Sequence, residues 1–319
     1  MGRCSPPSSC LEMKFMQAEP KPGTLYIVGT PIGNLEDMTF RAVRILQAVD
    51  MIAAEDTRHT GKLLQHFQVH TPQISYHEHN RTGRIPEILT YLHYGKAIAL
   101  VSDAGMPGVS DPGHELITAC VAAGIDVVPI PGATAVITAL SVSGLATSKF
   151  VFDGFLPAKR QHRREYLETL LMETRTLVFY ESPHRLRETL EDLGEILGGS
   201  RTIVMGRELT KLYEEIWRGD IKEAIAYYQE KDPQGEYTLV VGGASPSQPE
   251  ITEAQLRAEL LEIIKQGVSR SQASRQLAQE TSISRRYLYQ LALSIDQESV
   301  FETGNMRMDI IDKLRTDQE

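Results

Sequence analysis

The chain has 319 residues, 41% of them hydrophobic and 24% charged, which is the balance of a soluble globular protein with room for two domains and a small third. No apolar run approaches the roughly 18 residues of a membrane span, and residues 1–20 lack the compact apolar core of a secretory signal. A net charge of −9 argues against indiscriminate binding to naked nucleic acid, so any polyanion contact must come from local basic patches.

Residues 1–21 read as a disordered tail in which Met13 or Met16 could be the true start. Cys4, Cys10 and Cys120 make neither a disulfide framework nor a metal-ligand set, which points to a reducing cytoplasm. From Thr24 onward strand and helix alternate. Thr24–Val28 reads as a strand, followed by the loop Gly29–Asn34 and a helix capped by Asp37, with Phe40, Val43, Leu46 and Val49 at helical spacing. Strands at Met51–Ala54, Gln73–Tyr76, Ala97–Val101 and Asp126–Ile130 follow, separated by helices near 61–67, 85–92 and 114–123, and Pro131-Gly132 opens a helix over 133–143. This βαβα order predicts an α/β domain over 22–145 with a parallel sheet covered on both faces.

After Gly144 the pattern changes. Strands are expected at 150–154, 176–180, 201–207, 213–219 and 237–241, and helices at 161–172, 183–196 and 221–230. The last three strands carry fewer crossover helices, so a second α/β domain over 146–243 should have a mixed sheet. Residues 244–251 have linker composition. Beyond them, over 252–319, Thr252 can cap a helix that Gly267 stops, and two short helices around Thr281-Ser282-Ile283-Ser284 outline a helix-turn-helix, basic within an acidic chain. A plain packing or dimerisation module fits the same residues.

The loop Ser102–Gly113, after a buried strand, holds three glycines, two prolines and two acids. In open α/β sheets ligands sit beyond the carboxyl ends of strands, where glycines let backbone come close. Gly29-Thr30-Pro31-Ile32-Gly33 occupies the place of a dinucleotide fingerprint but has G-x-x-x-G spacing, and no Walker lysine is present, so the pocket suits something other than a nucleoside polyphosphate. His77-Glu78-His79 lacks a convincing third ligand, so no metal site is expected. Lys159-Arg160-Gln161-His162-Arg163-Arg164 is the densest basic run and opens a helix, where positive charge is unfavourable without a partner. With Arg58, Arg185 and Arg207 it could contact RNA phosphates, as Arg285 and Arg286 could in the C-terminal module.

Nine segments, Thr24–Asn34 (TLYIVGTPIGN), Ala54–Thr60 (AEDTRHT), Ser75–Asn80 (SYHEHN), Ser102–Gly113 (SDAGMPGVSDPG), Pro131–Val136 (PGATAV), Gly154–Lys159 (GFLPAK), Tyr180–Arg185 (YESPHR), Arg207–Lys211 (RELTK) and Gly235–Val240 (GEYTLV), resemble the ribosomal small subunit methyltransferase I family of the tetrapyrrole methylase superfamily. The resemblance implies a two-domain tetrapyrrole-methylase-like fold and S-adenosyl-L-methionine-dependent 2′-O-methylation of a cytidine ribose in the decoding region of small-subunit (16S) ribosomal RNA. It also implies a homodimer with the small ribosomal subunit as partner. Cofactor contacts are expected from Gly29, Thr30 and Pro31, from Ser102, Asp103, Ala104 and Gly105, from Ala133, Thr134 and Ala135, and from Tyr180, Gly235 and Tyr237.

A sulfonium methyl is already a strong electrophile, so the protein's task is to align the acceptor oxygen and help remove its proton. Glu55, Asp56 and Glu208 are candidate bases, with His59 and His184 beside them in sequence, and the residues do not choose among them. Two rival functions use the same residues. A tetrapyrrole C-methyltransferase would not need the basic run or the C-terminal module, and an S-adenosylmethionine-sensing DNA-binding regulator would not need a complete catalytic cleft.

Overall fold

The computed structural model describes residues 20–244, 252–281 and 283–295. The expected tail before residue 20, the linker after Ala244 and the end of the chain lie outside them. Contacts group the chain into a unit ending at Ala244 and a second beginning at Ser245.

The larger unit holds two sheets. In the first, β1 (Thr24–Val28), β2 (Met51–Ala54), β3 (Gln73–Ser75), β4 (Ile98–Val101) and β5 (Asp126–Ile130) run parallel in the order β3-β2-β4-β1-β5. Helices α1 (Phe40–Ala48) and α2 (Thr57–His66) bury Ala42, Ile45, Leu46 and Leu64 on one face. On the other, α3 (Arg81–His93) and α4 (His114–Ala122) bury Ile88, Leu92, Leu116 and Cys120. Because the strands are parallel, every β-to-α loop opens at the same, carboxyl edge of the sheet.

Helix α5 (Ala135–Ser143) follows β5 but packs on the second sheet, where its Val136, Ala139 and Leu140 meet Val178, Val204 and Val240. That sheet orders β6 (Phe150–Phe155), β7 (Thr176–Glu181), β10 (Tyr237–Val241), β8 (Thr202–Arg207) and β9 (Glu215–Asp220) as β6-β7-β10-β8-β9. β6 and β7 are parallel and the other pairs antiparallel, the mixed sheet expected from the missing crossovers. Its far face is covered by α6 (Arg160–Thr169), α7 (Leu186–Leu193) and α8 (Ile221–Glu230) through Leu167, Leu190, Leu193 and Tyr228.

In the C-terminal unit, α9 (Glu253–Lys265), α10 (Arg270–Thr281) and a helix over 285–295 enclose a small core of Leu256, Leu260, Ala273, Leu277, Leu288 and Leu291. Thr252 and Gln255 form a reciprocal capping box at its start.

Two local expectations are corrected. The cap of α1 is Thr39, which accepts from the Ala42 N–H, because residues 35–37 form a separate 3₁₀ turn capped by Asn34. Phe40, expected on the buried stripe, stands at the first position of α1 and is 98% exposed, since Ala42, Ile45 and Leu46 form the stripe.

The basic run over 159–164 is also explained by packing. Arg163 is 0% exposed and donates to the equally buried Asp192 of α7 at 2.8 Å, with a second contact to Glu188 at 3.2 Å. Arg160 and Arg164 reach Asp192 at 3.1 Å, and Arg164 also pairs with Glu195. Burial alone would raise the Asp192 carboxyl, but hydrogen bonds from Arg163, Arg164 and Arg160 outweigh it and hold it below the ordinary value. The reason for cations at the start of α6 is thus an acidic stripe on the adjoining helix. Removing one member of a buried pair costs about 3–5 kcal/mol. Asp192→Ala should lose about that much stability in urea denaturation, whereas replacing Arg163 and Asp192 together by Met and Leu should cost far less.

Candidate active site

Three loops at the carboxyl edge of the first sheet are joined through their backbones. Gly29, after β1, donates to the Ile130 carbonyl at 3.0 Å, and Thr30 exchanges hydrogen bonds with Gly105 at 2.9 and 3.1 Å. A Cβ on Gly132 would stand 2.7 Å from Gly29 Cα, and one on Gly29 would stand 2.6 Å from Met106 Sδ. Glycine is therefore required where the β1 and β5 loops cross. The crossing brings the 102–113 loop beside the N-terminus of α5, where the Thr134 hydroxyl accepts from the Ile137 N–H.

Between this edge and the second sheet lies a cleft of about 460 Å³. Ala104, Gly105, Thr134, Ala135, Tyr180 and Tyr237, all expected on sequence grounds, line it, together with Met106, Asp111, Phe152, Phe155, Leu209 and Lys211. Gly29, Thr30, Pro31, Ser102, Asp103, Ala133 and Gly235 do not. The buried Thr30 hydroxyl donates to the Ser102 carbonyl at 3.2 Å, so these residues hold the loops that form the wall. Gly235 lies against the Glu208 side chain at the rim.

None of the three candidate bases lines the cleft. Asp56 caps α2 and pairs with Arg58 at 2.7 Å, and those contacts hold its carboxyl well below the ordinary range. Glu208 accepts from Lys211 Nζ at 2.8 Å and from the Glu236 N–H at 2.9 Å. Burial would raise it, but those two donors bring it lower, so Glu208 ties the 208–211 turn to the 234–236 loop. Glu55 accepts from the Asp103 N–H at 3.3 Å behind the wall, and burial raises its carboxyl.

Sequence reasoning missed Asp111. Its carboxyl lines the cleft and is pushed up to about 7, first by burial and then by the charge of Glu55, with Asp103 adding and Ser102 opposing. A carboxyl near neutrality in a cleft is suited to moving a proton at physiological pH. Its position within the glycine-rich loop was visible, but the carboxylates that raise it arrive only through folding. Burial, followed by the charge of Asp111, also raises the Tyr180 phenol.

Of the cations expected to meet RNA, Arg163 is a correction, because full burial against Asp192 removes it from any solvent-borne partner. Arg185 pairs with buried Glu181 at 2.8 Å and donates to the Leu156 carbonyl at 3.1 Å. Arg207 donates to the Gln234 carbonyl at 2.7 Å and reaches Glu215 at 3.4 Å. Both brace loops around the cleft. Arg285 donates to the Ser271 hydroxyl at 3.0 Å, and Arg286 is exposed. Lys159 is exposed and makes no ion pair among the described residues. The paired imidazoles of His77 and His79 are 6.0 Å apart, and no group of three potential metal ligands occurs among the described residues.

The glycine crossing can be tested directly. Gly132→Ala should cost about 1–3 kcal/mol in urea denaturation through overpacking against the Gly29 backbone.

Comparison with known proteins agrees with this architecture. The family model for tetrapyrrole (corrin/porphyrin) methylases matches residues 24–225. The chain is 58% identical over 277 residues to the ribosomal RNA small subunit methyltransferase I of Synechocystis sp., covering 86% of this chain and 99% of that protein. It is 45% identical over 282 residues to the protein of the same name from Escherichia coli O157:H7, covering 88% and 98%. Among solved structures, the methyltransferase CobJ superposes with a TM-score of 0.52 at 20% identity, covering 70% of this chain and 95% of that one. A uroporphyrin-III C-methyltransferase from Thermus thermophilus, complexed with S-adenosylhomocysteine, superposes with a TM-score of 0.51 at 17% identity, covering 69% and 97%. At that identity the likeness shows the fold, while the curated relatives show the branch: the chain belongs to the tetrapyrrole methylase family and, within it, to the ribosomal RNA small subunit methyltransferase I group.

Proposed function

We propose that this protein transfers a methyl group from S-adenosyl-L-methionine to the 2′-oxygen of a cytidine ribose in the decoding region of 16S ribosomal RNA, acting on the small ribosomal subunit. The observation that carries this reading is the 45% and 58% identity, over nearly the whole length of relatives named for small-subunit ribosomal RNA methylation, joined to a cleft at the sheet edge. The cleft suits the cofactor: its volume lies within the range of small-molecule sites, its floor is apolar, and Asp111 and the Tyr180 ring are partners for a sulfonium cation.

When bound, the cofactor supplies an electrophilic methyl. Ala104, Gly105, Thr134 and Ala135 would hold it from the first sheet, and Tyr237 from the second. The apolar walls exclude water, and Asp111 accepts the proton from the ribose hydroxyl. Positioning carries most of the rate. A base normally hidden in structure must be presented unstacked for its ribose to reach the cleft, so the folded subunit rather than free RNA is the substrate.

Tritium from labelled S-adenosylmethionine should enter small subunits from a methyltransferase-deficient strain, in a dinucleotide that resists alkaline cleavage because its 2′-oxygen is blocked. Label in alkali-labile nucleotides, or none, would overturn the assignment. Asp111→Asn should abolish most turnover, and the wild-type rate should rise with pH through about 7 as that carboxyl ionises. The folded carboxyl is raised above its ordinary value near 3.8, so the folded state holds the proton more tightly. Its contribution to stability is present at acid pH and lost as pH rises through about 7. Asp111→Asn should accordingly be more stable than wild type at pH 8 by about 1 kcal/mol or more, measured by urea denaturation.

A further inference from the structure

The outer lip of the cleft carries an aromatic side chain whose placement is built rather than incidental. Pairing of β6 with β7 slips between Phe152 and Phe155, where three steps on β6 match two on β7, from Val178 to Tyr180. Residues three apart on a regular strand face opposite ways, and the extra residue of this bulge turns both rings to one face. Phe152 meets Tyr180 edge-on with centroids 5.0 Å apart, and Phe155 lies tilted on the same ring at 5.6 Å.

The backbone around Phe155 is fixed on both sides. Gly154 has φ +61° and packs on Ser110, where a Cβ would stand 2.6 Å from Oγ, so the 102–113 loop abuts the bulge. The Leu156 carbonyl accepts from Arg185, itself clamped by buried Glu181. Despite this bracing Phe155 is 55% exposed, and Val109, which also lines the cleft, is exposed as well. Deeper lining residues such as Val136, Leu209, Tyr237 and Thr238 are buried. Four residues beyond Phe155, at the foot of the same loop, Lys159 is the one lysine or arginine of the basic run with no carboxylate partner among the described residues.

A held, half-exposed ring followed by a free ammonium is the pairing that receives an unstacked base and its phosphate. Resting on the function proposed above, we infer that Phe155 is the platform on which the base of the target nucleotide stacks, with Lys159 as the adjoining phosphate contact. Phe155 thus sets affinity for the RNA, while the buried floor serves the methyl donor.

The test combines steady-state methylation of small subunits with calorimetric titration of S-adenosylhomocysteine, on wild type, Phe155→Ala, Phe155→Tyr and Lys159→Met. Phe155→Ala should raise KM for subunits roughly tenfold or more, with S-adenosylhomocysteine affinity within about twofold of wild type. Phe155→Tyr should restore KM, and Lys159→Met should raise KM less at high salt than at low salt. An unchanged KM in Phe155→Ala overturns the stacking role, as does a parallel loss of S-adenosylhomocysteine affinity, which would assign the ring to the donor's wall. A wild type that takes up no S-adenosylhomocysteine overturns the underlying reading of the cleft, and the inference with it.

Discussion

Two polypeptide backbones that touch without side chains between them set the geometry of the cleft. Gly29 and Gly132 occupy the crossing of the loops after β1 and β5, and the paired hydrogen bonds of Thr30 and Gly105 attach the loop after β4 to the same point. Side chains here would drive the loops apart, because a Cβ at either glycine would fall well inside normal contact distance. With the crossing in place, α5 begins beside the 102–113 loop and carries its apolar face onto the second sheet. One contact of this kind thereby couples the parallel sheet, the mixed sheet and the space between them.

The electrostatics of that space follow from the strand ends. Glu55, Asp103 and Asp111 arrive from β2 and β4, and their mutual repulsion with burial favours a proton on Asp111. The cations nearby are committed elsewhere: Lys211 to Glu208 and Glu236, Arg185 to Glu181. The cleft is therefore a site short of positive charge, a setting that attracts a sulfonium cation and, above about pH 7, presents an ionised Asp111 able to take a proton. The same arrangement lowers stability at neutral pH, an instance of a site maintained against the preference of the fold.

Much of this was legible before the structure. Short apolar runs alternating with helical patterns placed the parallel strands, and the scarcity of crossover helices marked the second sheet as mixed. The loops that form the cleft wall were visible through their glycines. What escaped were properties that exist only between distant segments. Asp111 is one acid among several until Glu55 folds beside it. The run at 159–164 resembled a polyanion contact because its partners, Glu188, Asp192 and Glu195, lie on another helix, although their helical spacing was a signal that could have been matched to the arginines. Gly154 within a strand pattern was a further sign, pointing to the bulge that turns Phe155 toward the mouth.

On the function proposed here, the space beside the glycine crossing holds the methyl donor with its reacting sulfur toward Asp111. A crystal structure with S-adenosylhomocysteine measures this most directly. The ligand should lie between the 102–111 loop and the Tyr237 edge, with its sulfur facing the Asp111 carboxyl. A ligand bound outside that cleft, or one whose sulfur points into the apolar floor away from Asp111, would contradict it.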